Sequence, residues 1–157
     1  MSRTSETRPL TGHVVNTYSE STENAYSADY INKAFGGTLL WENSSPNGAF
    51  ASQSVSLDLS KYDGIAIIYI IECGANWGRM IKNTGIMPIQ STRPISMEGT
   101  IVENTSSSTF AFRSATVSST GITFGTGYIN ITNSEAATRD YACVPWYIIG
   151  YKTGLFN

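Results

Sequence analysis

A chain of 157 residues is long enough for one domain with a core of ordinary size, and it needs neither a disulfide nor a metal to hold it together. Charged residues make up only 14% and the formal net charge is -2, with lysine and arginine scattered singly; this excludes the positive footprint that nucleic acid requires and leaves a neutral, polar surface. The longest apolar run, residues 65 to 71, is far shorter than the about 20 residues of a membrane-spanning helix, and no apolar leader follows Met1, so cytoplasmic synthesis without a signal peptide or membrane insertion is expected.

Residues 1 to 24 are polar and lack sustained periodicity, which predicts an extended arm that orders only against something else. YSADYINKAFGG, residues 26 to 37, reads as a short helix: Ser27 can cap it, Asp29 suits its positive end, and Gly36 and Gly37 stop it. Tyr26, Tyr30, Ile31 and Phe35 fall on one stripe with Ala34. A helix of about two turns is not stable alone, so that stripe must pack on the main domain or on a neighbouring copy, and its four large residues are candidate oligomer contacts. The chain thus divides into an arm with a short helix, residues 1 to 37, and a strand-rich domain, residues 38 to 157.

From Thr38 onward the pattern is strands and turns. TLLWEN, residues 38 to 43, is followed by the turn SSPNG and then by residues 50 to 60, where Val55, Leu57 and Leu59 alternate with Ser54, Ser56 and Asp58 to give one buried and one solvated face. IAIIYIIEC, residues 65 to 73, is apolar on both faces and rich in β-branched residues, which predicts a central strand covered on both sides. GANWGR, residues 74 to 79, reads as a loop. Short strands are expected around residues 80 to 82, 86 to 90 and 95 to 102, with Pro88 and Pro94 at edges or bends. AFRSATVSSTGITFG, residues 111 to 125, reads as a hairpin: Phe110 and Phe112 share one face, Arg113 points the other way, Ser118 to Gly121 turn the chain, and Ile122 and Phe124 resume the apolar face. Residues 127 to 131 are a further strand and residues 142 to 151 close the domain. Short strands at about ten-residue spacing predict an all-β, antiparallel β-sandwich of jelly-roll type, preceded by the extended arm and one short helix.

Motifs for chemistry are sparse. The single histidine, His13, lies in the arm, and no spacing singles out two of the carboxylates at Glu42, Asp58, Asp63, Glu72, Glu98, Glu103, Glu135 and Asp140 as a catalytic pair; an enzyme is therefore not expected. Cys73 and Cys143 sit in apolar strand patterns, compatible with small buried thiols or with a disulfide, and no metal site or cofactor is indicated. The best binding candidate is the loop around Trp77, where an aromatic ring with Asn76 and Arg79 beside it can stack on a sugar and bond its hydroxyls; Tyr62, at a turn, is a further candidate. The competing reading folds Trp77 back onto the core and makes Tyr62 a lid on the sheet. Trp41 and Trp146 lie inside strands and suit packing.

YSADYINKAFGG, TLLWENSSPNGAFASQSVSLDLSKYDGIAIIY, RSATVSSTGITFG and the closing WYIIGYK together resemble the C-terminal β domains of tail structural proteins of bacteriophages and prophages, over residues 16 to 152. The resemblance implies a distal tail, baseplate or fibre component of the virion, a homotrimer assembling with other phage tail proteins, with recognition of a host cell-surface glycan as an added duty. It carries no catalytic motif, and residues 1 to 24 hold no heptad pattern for a trimeric shaft. A monomeric bacterial carbohydrate-binding module or adhesin domain is the alternative.

Overall fold

The computed structural model describes Asn32 and residues 35–72, 79–89, 93–104, 107–131 and 137–155. The arm and most of the helix expected over residues 26 to 37 lie outside them.

Ten strands are present among these residues: β1 (Thr38–Glu42), β2 (Gln53–Ser56), β3 (Gly64–Glu72), β4 (Arg79–Asn83), β5 (Met87–Pro88), β6 (Ile95–Asn104), β7 (Ser107–Ser118), β8 (Gly121–Ile131), β9 (Ala137–Thr138) and β10 (Val144–Tyr151). They form two antiparallel five-stranded sheets. The first runs β1-β10-β3-β4, with β5 continuing beside β3; the second runs β2-β8-β7-β6, with β9 beside β8. The fold is the expected all-β sandwich. β6, β7 and β8 follow one another as a meander, whereas β10 lies between β1 and β3 and closes the first sheet with the last strand of the chain.

The core sits between the sheets. Ile65, Ile67, Tyr69 and Ile71 of β3 and Ile148 of β10 meet Met97, Ala111, Ala115, Val117, Ile122 and Phe124 from the second sheet. Period-two alternation sends the odd residues of β3 inward, and burying each isoleucine contributes about 1.5–3 kcal/mol. β3 is buried on both faces, as its unbroken apolar run predicts: Ala66, Ile68 and Ile70 on its other side are 5%, 2% and 5% exposed. Trp41 and Phe50 seal one end, Phe50 standing edge-on to Phe124 at 5.4 Å.

Three strand expectations are corrected. The strand over residues 50 to 60 shortens to Gln53–Ser56 because Leu57 and Leu59 then donate their amides to Thr120 and Ser119 in the β7–β8 turn. The inside–outside alternation nevertheless persists through Leu59, which is 1% exposed. The strand over residues 86 to 90 is only Met87–Pro88. Residues 127 to 131 are not a separate strand. β8 continues through Gly125–Gly127 by a bulge, in which Ser114 alone separates Arg113 and Ala115 while two residues separate their partners Gly127 and Phe124.

The hairpin faces are also corrected. Arg113 points inward together with Ile122 and Phe124, and Phe110 and Phe112 occupy the opposite, outward face. On either side of Arg113 the inward positions of β7 are small, Ala111 and Ala115, with Thr109 and Val117 beyond them, because the facing side of β3 fills the space with isoleucine and Tyr69.

Candidate recognition surface

Turning Phe110 and Phe112 outward places an aromatic row on the solvent side of the second sheet. Phe110 and Phe112 are two residues apart on β7, and their rings stack with centroids 5.7 Å apart. Tyr128, directly across from Phe112 on β8, stacks on it at 5.2 Å with the ring planes within 17°. The row therefore crosses from β7 to β8. Phe110 at its end is 37% exposed, and Phe112 and Tyr128 are half-buried.

Polar groups, neutral apart from Glu98, border the row, as the sheet register requires. Thr100 and Asn130 flank Phe110 on β6 and β8, Glu98 is opposite Phe112, and Thr138 is opposite Tyr128. Ser114 and Thr116 continue the outward face of β7. Glu98 is held in place by Ser96, whose hydroxyl donates to its Oε2 at 3.0 Å. Three apolar rings among hydroxyl, amide and one carboxylate acceptor form a surface suited to stacking on the C–H face of a polyol while bonding its hydroxyls.

Arg113 fixes this surface from beneath. It is fully buried, yet every bond it makes is to a main-chain carbonyl: Nε donates to Ala142 and Cys143 at 3.1 Å each, Nη1 to Gly125 at 2.7 Å and Nη2 to Asp140 at 3.0 Å. Its guanidinium lies over the Phe50 ring, 5.3 Å from the centroid. Burial pushes its pKa below the ordinary arginine value, and the carbonyl dipoles offset part of the cost of desolvating the charge. The side chain thereby ties β7 to the bulge of β8 and to the segment leading into β10. Cys143, one of the tied residues, has a left-handed φ of 49°, a conformation that carries a steric cost for a side chain with a Cβ.

The residues singled out from sequence are placed differently. Trp77 and Asn76 lie outside the described residues, as do Tyr26, Tyr30, Ile31 and Cys73. Arg79 opens β4, paired with Glu72 at the far end of β3. Tyr62 is half-buried against the core, its ring lying over Gly150, which pairs with Ile65 near the start of β3. Seven strand steps separate the two ends, roughly 23 Å at the usual rise, so Tyr62 and Arg79 are not brought together. Phe35 is 39% exposed, and its carbonyl accepts a bond from the Tyr151 hydroxyl at 3.0 Å.

The aromatic row was missed because alternation alone does not say which face turns inward. The small residues on the other face of β7, Ala111 and Ala115, held the signal: a strand whose apolar side chains are small on one side and aromatic on the other can put the small side against a bulky opposing sheet. Comparison with protein-family models, with curated proteins and with solved structures finds no match to this chain.

Proposed function

We propose that the chain is a non-enzymatic structural domain of a bacteriophage tail, a homotrimeric head of the fibre-tip or baseplate kind carried in the virion, which recognises a neutral host-surface saccharide through the outward face of its second sheet. The observation that supports recognition most is the row Phe110–Phe112–Tyr128, partly exposed and bordered by hydroxyl and amide groups. A surface of that composition is charge-poor, so its partner is an uncharged polyol rather than a phosphate or an acidic chain. The tail assignment is supported by the four sequence segments quoted above and by the all-β sandwich that the described residues form.

The test is titration of isotope-labelled protein with neutral oligosaccharides of glucose, galactose and N-acetylglucosamine, followed by NMR. Amide shifts concentrated on Phe110–Phe112 and Tyr128–Asn130, abolished by Phe112→Ser, are expected. Shifts confined to other loops, or none with any of the sugars, would count against the recognition surface. Light scattering gives the assembly state: a particle of three 17.0 kDa chains fits the tail head domain, and a monomer fits a free carbohydrate-binding module instead.

A further inference from the structure

We infer that the ligand of the aromatic row is a polymer rather than a single sugar: resting on the saccharide reading above, an uncharged glycan chain lies along β7 from Phe110 and reaches a second binding site at the tip of the β7–β8 hairpin. That site is a shallow depression of about 400 Å³ lined by Ser56, Leu57, Asp58, Ser119 and Thr120. Its volume falls at the lower end of the roughly 300–1,000 Å³ of small-molecule sites. The carbonyls of Ser119 and Thr120 accept the amides of Leu59 and Leu57 at 3.3 and 3.0 Å, which ties the segment after β2 to the hairpin turn and fixes both walls of the depression. Asp58 is its anchor. The Ser60 amide and hydroxyl both donate to Asp58 Oδ1, at 3.1 and 2.6 Å, while Oδ2 accepts no bond among the described residues. The hydroxyl of Ser60, and after it the amide, hold the carboxyl below the ordinary range, so an ionised oxygen in fixed orientation is open to the hydroxyls of a ligand.

The two sites share one face and are joined along it by hydroxyls. Strand alternation places Ser114, Thr116 and Ser118 on the side of β7 that carries Phe110 and Phe112, and all three are exposed. Thr123 stands opposite Thr116 and Ser54 opposite Thr123, the last two sharing a hydrogen bond of 2.8 Å between their hydroxyls. Ser56 and Asp58 continue the Ser54 side, since Val55, Leu57 and Leu59 alternate with them and turn to the core. From Phe110 to Ser118 the track runs eight strand steps, roughly 26 Å at the usual rise, so a disaccharide covers one end and only a chain of several sugars reaches both. Charge narrows the class of polymer. Glu98 opposite Phe112 and Asp58 in the depression put a carboxylate at each end, which repels an acidic chain or a phosphate. Two weak contacts joined by one ligand bind more tightly than either alone, so affinity should climb with chain length.

NMR titration of the isotope-labelled full chain with disaccharides and hexasaccharides of glucose, galactose and N-acetylglucosamine tests this. A disaccharide should shift the amides of Phe110–Phe112 and Tyr128 alone. The matching hexasaccharide should also shift those of Ser56–Asp58 and Ser119–Thr120 and bind at least about tenfold more tightly. Ser119→Tyr, which fills the depression from an exposed turn, should return the hexasaccharide to the affinity of the disaccharide and leave disaccharide binding unchanged. Asp58→Ala, which removes the acceptor instead, should do the same. Equal affinity for both lengths, or a hexasaccharide gain that survives both substitutions, would overturn the second site and leave the saccharide reading of the row standing. Absence of binding at either length would overturn both.

Discussion

The phenol of Tyr69 closes the open edge of β6 by bonding Glu98 twice. Its hydroxyl donates to the Glu98 carbonyl at 2.9 Å and accepts the Glu98 amide at 3.1 Å. Tyr69 stands on the first sheet and Glu98 on the outermost strand of the second, so one side chain joins the two layers. Unpaired edge groups are templates for pairing with other chains, and here one donor–acceptor pair is consumed internally. Lys82 adds a longer bond to the same carbonyl at 3.4 Å, and Gly99 lets Ile71 pack against the β6 backbone where a Cβ would collide.

Tyr69→Phe should therefore cost about 1–3 kcal/mol, because it removes the Tyr69 partner of the Glu98 amide and leaves the carbonyl only the longer Lys82 bond. Urea unfolding should show a lower midpoint with an unchanged slope. Burial, ahead of the neighbouring groups, raises the Tyr69 pKa above the ordinary tyrosine value. The folded state thus holds the phenolic proton more tightly than the unfolded chain. Its contribution is intact below the ordinary tyrosine pKa and is lost as pH rises through the elevated folded value. Tyr69→Phe should accordingly flatten part of the alkaline loss of stability in the parent protein.

Arg113 depends on Gly127, its partner across the sheet. A Cβ at Gly127 would lie 2.6 Å from Arg113 Nη2 and 2.8 Å from the Ala142 carbonyl, so the glycine makes room for the guanidinium and for the backbone it grips. Arg113→Met keeps the stem and takes a donor from four carbonyls, of which that of Asp140 still accepts the Phe50 amide; a loss of about 3 kcal/mol or more is expected in denaturant unfolding. Arg113→Lys should recover only part of it, since an ammonium has three donors and no planar fork. Gly127→Ala should cost about 1–3 kcal/mol in the parent and less in the Arg113→Met background, and fully additive costs would refute the coupling.

These residues also show where the sequence was legible. The run at residues 65 to 71 and the alternation from Val55 to Leu59 announced their burial, because apolar area dictates both. The inward arginine was not legible: its partners are carbonyls of Gly125, Asp140, Ala142 and Cys143, and backbone groups carry no side-chain signature. Reading charged as outward then inverted the hairpin and hid the aromatic row. The glycines at 125 and 127 fall where two stretches read as separate strands meet, yet they serve a bulge within one strand, a distinction set by the partner strand. Tyr62 read either as a turn residue able to meet a ligand or as a lid on the sheet, and its ring lies over Gly150, where the absence of a Cβ makes room for it.

Phe112 and Tyr128 provide a test of whether their row stabilises the sheet, binds a ligand, or does both. A stacked cross-strand pair contributes about 0.5–1.5 kcal/mol beyond area burial. A double-mutant cycle with Phe112→Ala and Tyr128→Ala should return a coupling of that size in thermal unfolding. Phe110 terminates the row and is more exposed, so Phe110→Ser should change stability by under about 1 kcal/mol while weakening sugar binding at least several-fold. Equal loss of stability and binding at all three positions would mean that the rings act only on the sheet.

Asp63 governs how firmly the end of the domain is held. Its Oδ1 accepts the Thr153 amide at 2.8 Å and the Thr153 hydroxyl at 3.1 Å, and its Oδ2 accepts the Gly154 amide. The chain leaving β10 is thereby tied to the loop that enters β3. The Thr153 amide is the largest cause of a pKa below the ordinary carboxylate value, with burial opposing it and the bond from Gly154 adding to it. A depressed folded value means that the unfolded chain binds the proton more tightly. The contribution is present above the ordinary carboxylate pKa and is lost as pH falls through the folded one. Hydrogen exchange at Thr153 and Gly154 should accordingly rise in acid, relative to its intrinsic rate, before the β3–β10 pairing opens. Asp63→Ala should produce the same local opening at neutral pH and remove its acid dependence. Retained protection of both amides in that variant would show that the turn after Tyr151 holds itself without the carboxylate.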